Sequence, residues 1–67
     1  MTVTDVQQRL VSIQAEAQED CVEAHEQENT LWFVVLRDIA AGTCADPQGC
    51  AREALKSREI DFDRWFC

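Results

Sequence analysis

Thr30-Leu31-Trp32-Phe33-Val34-Val35-Leu36-Arg37-Asp38-Ile39-Ala40-Ala41 holds the densest apolar run of the chain, six consecutive residues from Leu31 to Leu36. A run of this length suits either a buried strand or a helix buried around most of its circumference. Its surroundings decide for helix. The pattern continues past the run to Ala41 without glycine or proline, and no second strand exists to pair with it. As a helix, Leu31, Val35 and Ile39 form one stripe and Trp32, Leu36 and Ala40 the adjacent one. Phe33 and Val34 fall outside both. Such a helix needs neighbours on more than one side.

Upstream, Val3, Val6, Leu10, Ile13 and Ala17 recur at alternating steps of three and four residues. That spacing marks a helix burying one narrow stripe. Thr4 and Asp5 offer the N-cap. From Gln14 to Asn29 there is again no glycine or proline, and Cys21 and Ala24 extend the stripe. Glu16, Glu19, Asp20, Glu23, Glu26 and Glu28 are read as the solvated surface of this segment. No lysine or arginine lies between Arg9 and Arg37, so like charges at i,i+3 and i,i+4 repel by a few tenths of a kcal/mol per pair. The prediction is one long helix over about 4–41, with Asn29-Thr30 as the candidate break. Unbroken, it would measure roughly 55 Å at 1.5 Å per residue.

Downstream, Gly42 supplies a left-handed C-terminal residue. Asp46 and Pro47 then supply an N-cap and a first helical position. A second helix is predicted over about 47–58, burying Cys50, Ala51, Ala54 and Leu55. Its basic residues Arg52, Lys56 and Arg58 are placed to face the acids of the first helix or their own helix C-terminus. The short connection implies an antiparallel pair. The tail, 59–67, is expected to fold back over the opening through Ile60, Phe62 and the Trp65-Phe66 pair. The fold class is therefore all-α, a helical hairpin in a single small domain over 1–67. A chain of 67 residues buries only roughly 60% of its unfolded surface, so pairing of two copies into a four-helix bundle is expected.

The charge narrows the roles. Thirteen acidic residues against six basic ones give a net charge of −7. This disfavours direct binding to nucleic acid or to an anionic membrane, both of which need a positive footprint. Residues 1–10 contain Asp5 and Arg9 and no secretory apolar region follows. The longest apolar run is six residues, against the ~20 that span a bilayer. A cytoplasmic location follows as the expectation, with mostly reduced cysteines.

Cys21 and His25 stand at i,i+4, and Cys44 and Cys50 bracket the turn, a set chemically suited to zinc. The loop spacing is C-x5-C rather than the shorter separation of structural sites, so no metal or cofactor is expected. A Cys44–Cys50 disulfide is the second option. The plain reading takes Cys21 and Cys50 as small buried thiols, Cys44 as a loop thiol and Cys67 as exposed. His25 beside Cys21 suggests a nucleophile and its base, but no oxyanion donors or pocket accompany the pair. The chain is read as non-enzymatic. Glu16, Glu19, Glu23 and Glu26 form an acidic face that would suit a basic groove, as a nucleic-acid mimic does. Trp32, Phe33, Leu36, Phe62, Trp65 and Phe66 are the apolar residues expected to contact a partner.

Ala41-Gly42-Thr43-Cys44-Ala45-Asp46-Pro47, then Ala51-Arg52-Glu53-Ala54-Leu55, then Asp61-Phe62-Asp63-Arg64-Trp65 give residues 30–65 a further character. This region resembles small proteins of actinobacteria and their phages, which place a G-x-C-x-D-P turn before an A-R-x-A-L helix. The resemblance implies no activity and assigns no functional residue. It implies a phage or mobile-element factor that binds a host protein. Together these readings anticipate a small homodimeric protein-binding module. The alternatives are a metal- or redox-responsive protein using Cys21, His25, Cys44 and Cys50, or an acidic mimic.

Overall fold

The helices form where the apolar periodicity places them, but the long one is broken, at a residue the pattern assigned to its surface. The computed structural model describes residues 1–65. Helix α1 spans Val3–Glu19, α2 spans Cys21–Ala41 and α3 spans Pro47–Leu55, followed directly by a 3₁₀ turn, Lys56–Glu59. No strand occurs among the described residues. The chain is all-α, and its hairpin is made by α1 and α2.

Asp20 is the break, not Asn29-Thr30, which lie inside α2. Its backbone is extended, with φ −150° and ψ 97°. The Asp20 N–H donates to the Glu16 carbonyl at 2.7 Å and closes α1. Its carboxylate accepts from the N–H groups of Val22 and Glu23 at 3.1 and 3.2 Å and opens α2. A short carboxylate competes well for backbone donors, and its charge suits a helix N-terminus. The larger reason is packing. A straight helix would leave both apolar stripes open, whereas the folded molecule measures 35 × 17 × 14 Å.

The two arms run antiparallel. Ser12 Oγ donates to Gln27 Oε1 at 2.8 Å near the bend. At the far end the Met1 amino group donates to the Thr43 carbonyl at 3.1 Å and lies 3.3 Å from Asp38 Oδ2. The first cap is Thr2, two residues ahead of the expected Thr4. Asp5 N–H donates to Thr2 Oγ1 at 3.2 Å and Thr2 N–H to Asp5 Oδ2 at 2.9 Å, a reciprocal capping box.

Val6 and Ile13 of α1 meet Ala24, Leu31 and Val35 of α2, with Cys50 and Ala54 of α3 and Ile60 and Phe62 of the tail completing the core. Val3, Leu10, Ala17, Cys21 and Ile39 pack around it. The predicted stripes do face inward. Val34, read as outside the stripes, is also buried, while Phe33 points outward. Leu55 reverses its expectation and stands 65% exposed.

Gly42 ends α2 with φ 74°, its N–H and that of Thr43 returning to Ile39 and Asp38. Asp46 caps α3 by accepting from Gly49 N–H at 3.0 Å. Gly49 is a close approach: a Cβ there would strike the Asp46 carboxylate and stand 3.0 Å from Val3 Cγ2. The start of α3 can lie against α1 only because that position has no side chain. The α3 cations do not reach across to the α1–α2 acids as a group. Lys56 pairs with Glu53 of its own helix, which also accepts from Gln7 Nε2 at 2.9 Å.

Replacing Asp20 by Ala removes the side-chain cap of α2, with its two hydrogen bonds, and leaves the backbone N–H that closes α1. Urea unfolding is expected to show a loss of about 1 kcal/mol, most of it restored by Asp20→Ser. Equal stability of Asp20→Ala and the native chain would mean that packing alone sets the break.

Candidate functional site

α2 presents two faces of different chemistry beyond the one that covers α1. One is a polar cluster under the tail and the other an open apolar groove beside α3.

The cluster begins with Glu28. Cys21, Ala24, Glu28, Leu31 and Val35 continue one inward stripe in steps of three and four, so Glu28 occupies a core position and is only 2% exposed. The sequence reading placed it among the solvated acids, which the structure corrects. An isolated buried carboxylate would be strongly unfavourable. Arg64 answers it with a two-point contact, Nε to Oε1 at 2.9 Å and Nη2 to Oε2 at 3.0 Å. Nη2 also donates to the carbonyls of Ser57 and Ile60 at 2.9 and 3.1 Å. The guanidinium lies 3.9 Å over the Phe62 ring, a cation–π arrangement. Burial by itself would push the Glu28 carboxyl up. The hydrogen bonds from Arg64 and Ser57 and the Arg64 charge outweigh it and hold the group below its ordinary value.

Trp32 joins this cluster to the groove. Its indole Nε1 donates to Ser57 Oγ at 3.0 Å and to the Ala54 carbonyl at 3.3 Å. The ring is thereby fixed as a wall, with its polar edge satisfied inside. With Val35, Leu36, Ala51, Ala54 and Leu55 it lines a groove of about 270 Å³ between α2 and α3. Leu36 is 67% exposed and Leu55 65%. Phe33 is exposed on the same helix. Leu36 is followed by Arg37, Ala51 by Arg52 and Leu55 by Lys56, all three cations exposed.

The remaining predicted residues separate. Phe62 is buried beneath Arg64 and belongs to the core, not to a contact surface. Trp65 is 92% exposed, with Phe66 and Cys67 outside the described residues. Glu19, Glu23 and Glu26 are exposed and Glu16 half-buried. Because the chain reverses at Asp20, Glu16 and Glu19 lie on α1 and Glu23 and Glu26 on α2, so the four form no continuous helical ladder. Glu23 accepts from Gln27 Nε2 at 3.1 Å. His25 is half-buried and borders a cleft with Glu28, Asn29, Trp32, Arg58, Arg64 and Trp65.

Cys21 is disulfide-bonded, which corrects its reading as a small buried thiol. Cys44 and Cys50 are free thiols, the first half-buried and the second buried, and burial pushes the Cys50 thiol up. Cys21 and His25 start α2, while Cys44 lies beyond its end, roughly 30 Å away at 1.5 Å per residue. Among the described residues no three histidine, cysteine or acidic side chains come together as a metal-binding group. No helix there is long and apolar enough to cross a membrane.

No protein-family model, curated protein or solved structure matches the chain.

A carboxyl held below its ordinary value binds fewer protons in the folded than in the unfolded state. The stability it contributes is present above the ordinary glutamate range and is lost as pH falls through the depressed value. Glu28→Gln is expected to lower stability near neutral pH by about 2 kcal/mol, Arg64 being left short of its partner. It is also expected to flatten the fall of stability on acidification, followed by urea unfolding. An acid limb as steep in the variant as in the native chain would place the titration at other carboxyls.

Proposed function

We propose that this chain is a small, non-enzymatic protein-binding module whose groove between α2 and α3 receives an apolar helix of a partner protein. The observation that carries the reading is the exposure of Leu36 and Leu55 on either side of a groove floored by Trp32, Val35, Ala51 and Ala54. Two helices enclosing an apolar trough are shaped for the ridge of a third. Large apolar side chains left so open on a small surface mark an interaction site more often than a solvated face.

The lining of the groove carries no charge, which describes the partner. Arg37, Arg52 and Lys56 follow its lining residues directly and are exposed. Asp38 and Glu53 answer two of them in part. A helix with an apolar stripe complements this uncharged lining. The resemblance of residues 30–65 to small actinobacterial and phage proteins supports a host protein as its source. A second copy of the chain is the other candidate occupant. The net charge of −7 on each copy opposes self-pairing, which favours a different protein. Phe33 and Trp65 extend the apolar surface at its edges.

Leu36→Asp together with Leu55→Asp alters two exposed positions, so circular dichroism and thermal unfolding should remain close to native. Capture of the partner by an immobilised chain from host extract is expected to fall at least about tenfold in the double variant. It should be unchanged in Val11→Asp, on the exposed side of α1. Loss of capture in Val11→Asp alone would move the docking surface to α1. Concentration-dependent sedimentation abolished by the same double variant would identify the occupant as a second copy.

A further inference from the structure

The cleft that His25 borders shares only the Trp32 ring with the docking groove. Three stretches of chain build it: α2, the 3₁₀ turn through Arg58, and the tail through Arg64 and Trp65. The tail wall is tied down at two points. Arg64 is held by its paired bonds to Glu28 at 2.9 and 3.0 Å. Trp65 N–H donates to Asp63 Oδ1 at 2.9 Å, which fixes the backbone that carries the indole. The indole itself is 92% exposed, an aromatic face left open to solvent.

The charges of the cleft do not balance. Arg64 and Glu28 cancel within their ion pair. The other Arg64 donors are also committed, Nη2 to the Ser57 and Ile60 carbonyls and Nη1 to that of Phe62 at 3.4 Å. Arg58 is exposed, and among the described residues its guanidinium has no hydrogen bond or ion pair. The His25 and Asn29 side chains in the same lining also have no hydrogen-bond partner among the described residues. The tail acids Asp61 and Asp63 do not line the cleft. One uncommitted cation, two uncommitted polar side chains and two indoles therefore border one small space.

We propose that this cleft binds a small aromatic monocarboxylate, its carboxylate on Arg58 and its ring against Trp65 and Trp32. A planar guanidinium matches a carboxylate with two parallel hydrogen bonds. His25 and Asn29 supply further hydrogen bonds at the same end. An aromatic ring gains from packing on the tryptophans, whose large faces order at little entropic cost. The charge limits the ligand to one carboxylate. A second negative group would find no second free cation in the lining, and the net charge of −7 opposes it. Size limits it to one ring on a short acid chain. The cleft measures about 240 Å³, below the roughly 300–1,000 Å³ of pockets that hold drug-sized ligands.

The test is titration of the full chain with phenylacetate, followed by NMR at the indole N–H signals of Trp32 and Trp65. The neutral 2-phenylethanol and the cationic 2-phenylethylammonium, of similar shape, serve as comparisons. The expected result is a saturable shift of the Trp65 signal, with phenylacetate bound at least about tenfold more tightly than either comparison compound. Arg58→Gln should weaken phenylacetate at least about tenfold and leave 2-phenylethanol unchanged. Trp65→Ala, followed at the Trp32 signal, should weaken both. Arg58 and Trp65 are exposed, so circular dichroism of each variant should remain native. The proposal is overturned if phenylacetate gives no saturable shift, if 2-phenylethanol binds as tightly, or if Arg58→Gln binds phenylacetate as the native chain does.

Discussion

The two-point contact between Glu28 and Arg64 is the constraint on which the rest of this small structure depends. It places a charge in the core of a chain that has little apolar surface to spare. That choice has structural consequences. Arg64 has to return from the far end of the chain to α2, and in doing so it brings Ile60 and Phe62 onto the core. Nη2 also donates to the Ser57 and Ile60 carbonyls, tying the end of the 3₁₀ turn to the same guanidinium. Ser57 in turn accepts from Trp32. One ion pair thus joins the tail, the turn after α3 and the middle of α2. A buried pair of this kind adds little net stability over an apolar substitute, but losing one partner is costly. Its value here is in specifying a single path for the tail.

Closing that side of α2 leaves the other side open. The helix has apolar residues around most of its circumference, and three neighbours are available to cover it: α1, α3 and the tail. α1 takes the Leu31–Val35 stripe, and the tail is tied to Glu28. α3 is nine residues long and reaches α2 mainly through Ala54 and Cys50, small side chains that bring it close without filling the space beside Leu36. The groove is the remainder of an incomplete enclosure. Its wholly apolar lining and satisfied tryptophan make it a surface of definite chemistry.

The cysteines divide between the ends of α2. Cys21, at its start, is disulfide-bonded, and the free Cys44 and Cys50 thiols lie beyond its end. The same helix that organises the core therefore keeps the two thiol chemistries apart, which a spacing pattern of four cysteines does not reveal.

Local signals determined a good part of this protein. The apolar run from Leu31 to Leu36, the three-and-four spacing from Val3 to Ala17, Gly42 as a left-handed stop and Asp46-Pro47 as a start all act within one or two helical turns. Each has a short-range physical cause, and each stands in the structure where the sequence puts it. The role of Glu28 was legible too, since an acid on the stripe Cys21, Ala24, Leu31, Val35 demands a buried cation; it was missed by counting it with its acidic neighbours. Other features had no local signal. Asp20 rather than Asn29-Thr30 became the bend because only there do the stripes of α1 and α2 lie over one another. Leu55 became exposed because the position of α3 is set by the gap at Gly49 against Val3. Arg64 found Glu28 across 36 residues. Periodicity specifies which face of a helix is apolar, but which neighbour covers that face, and which part stays uncovered, is settled only when all the faces compete for the same small core.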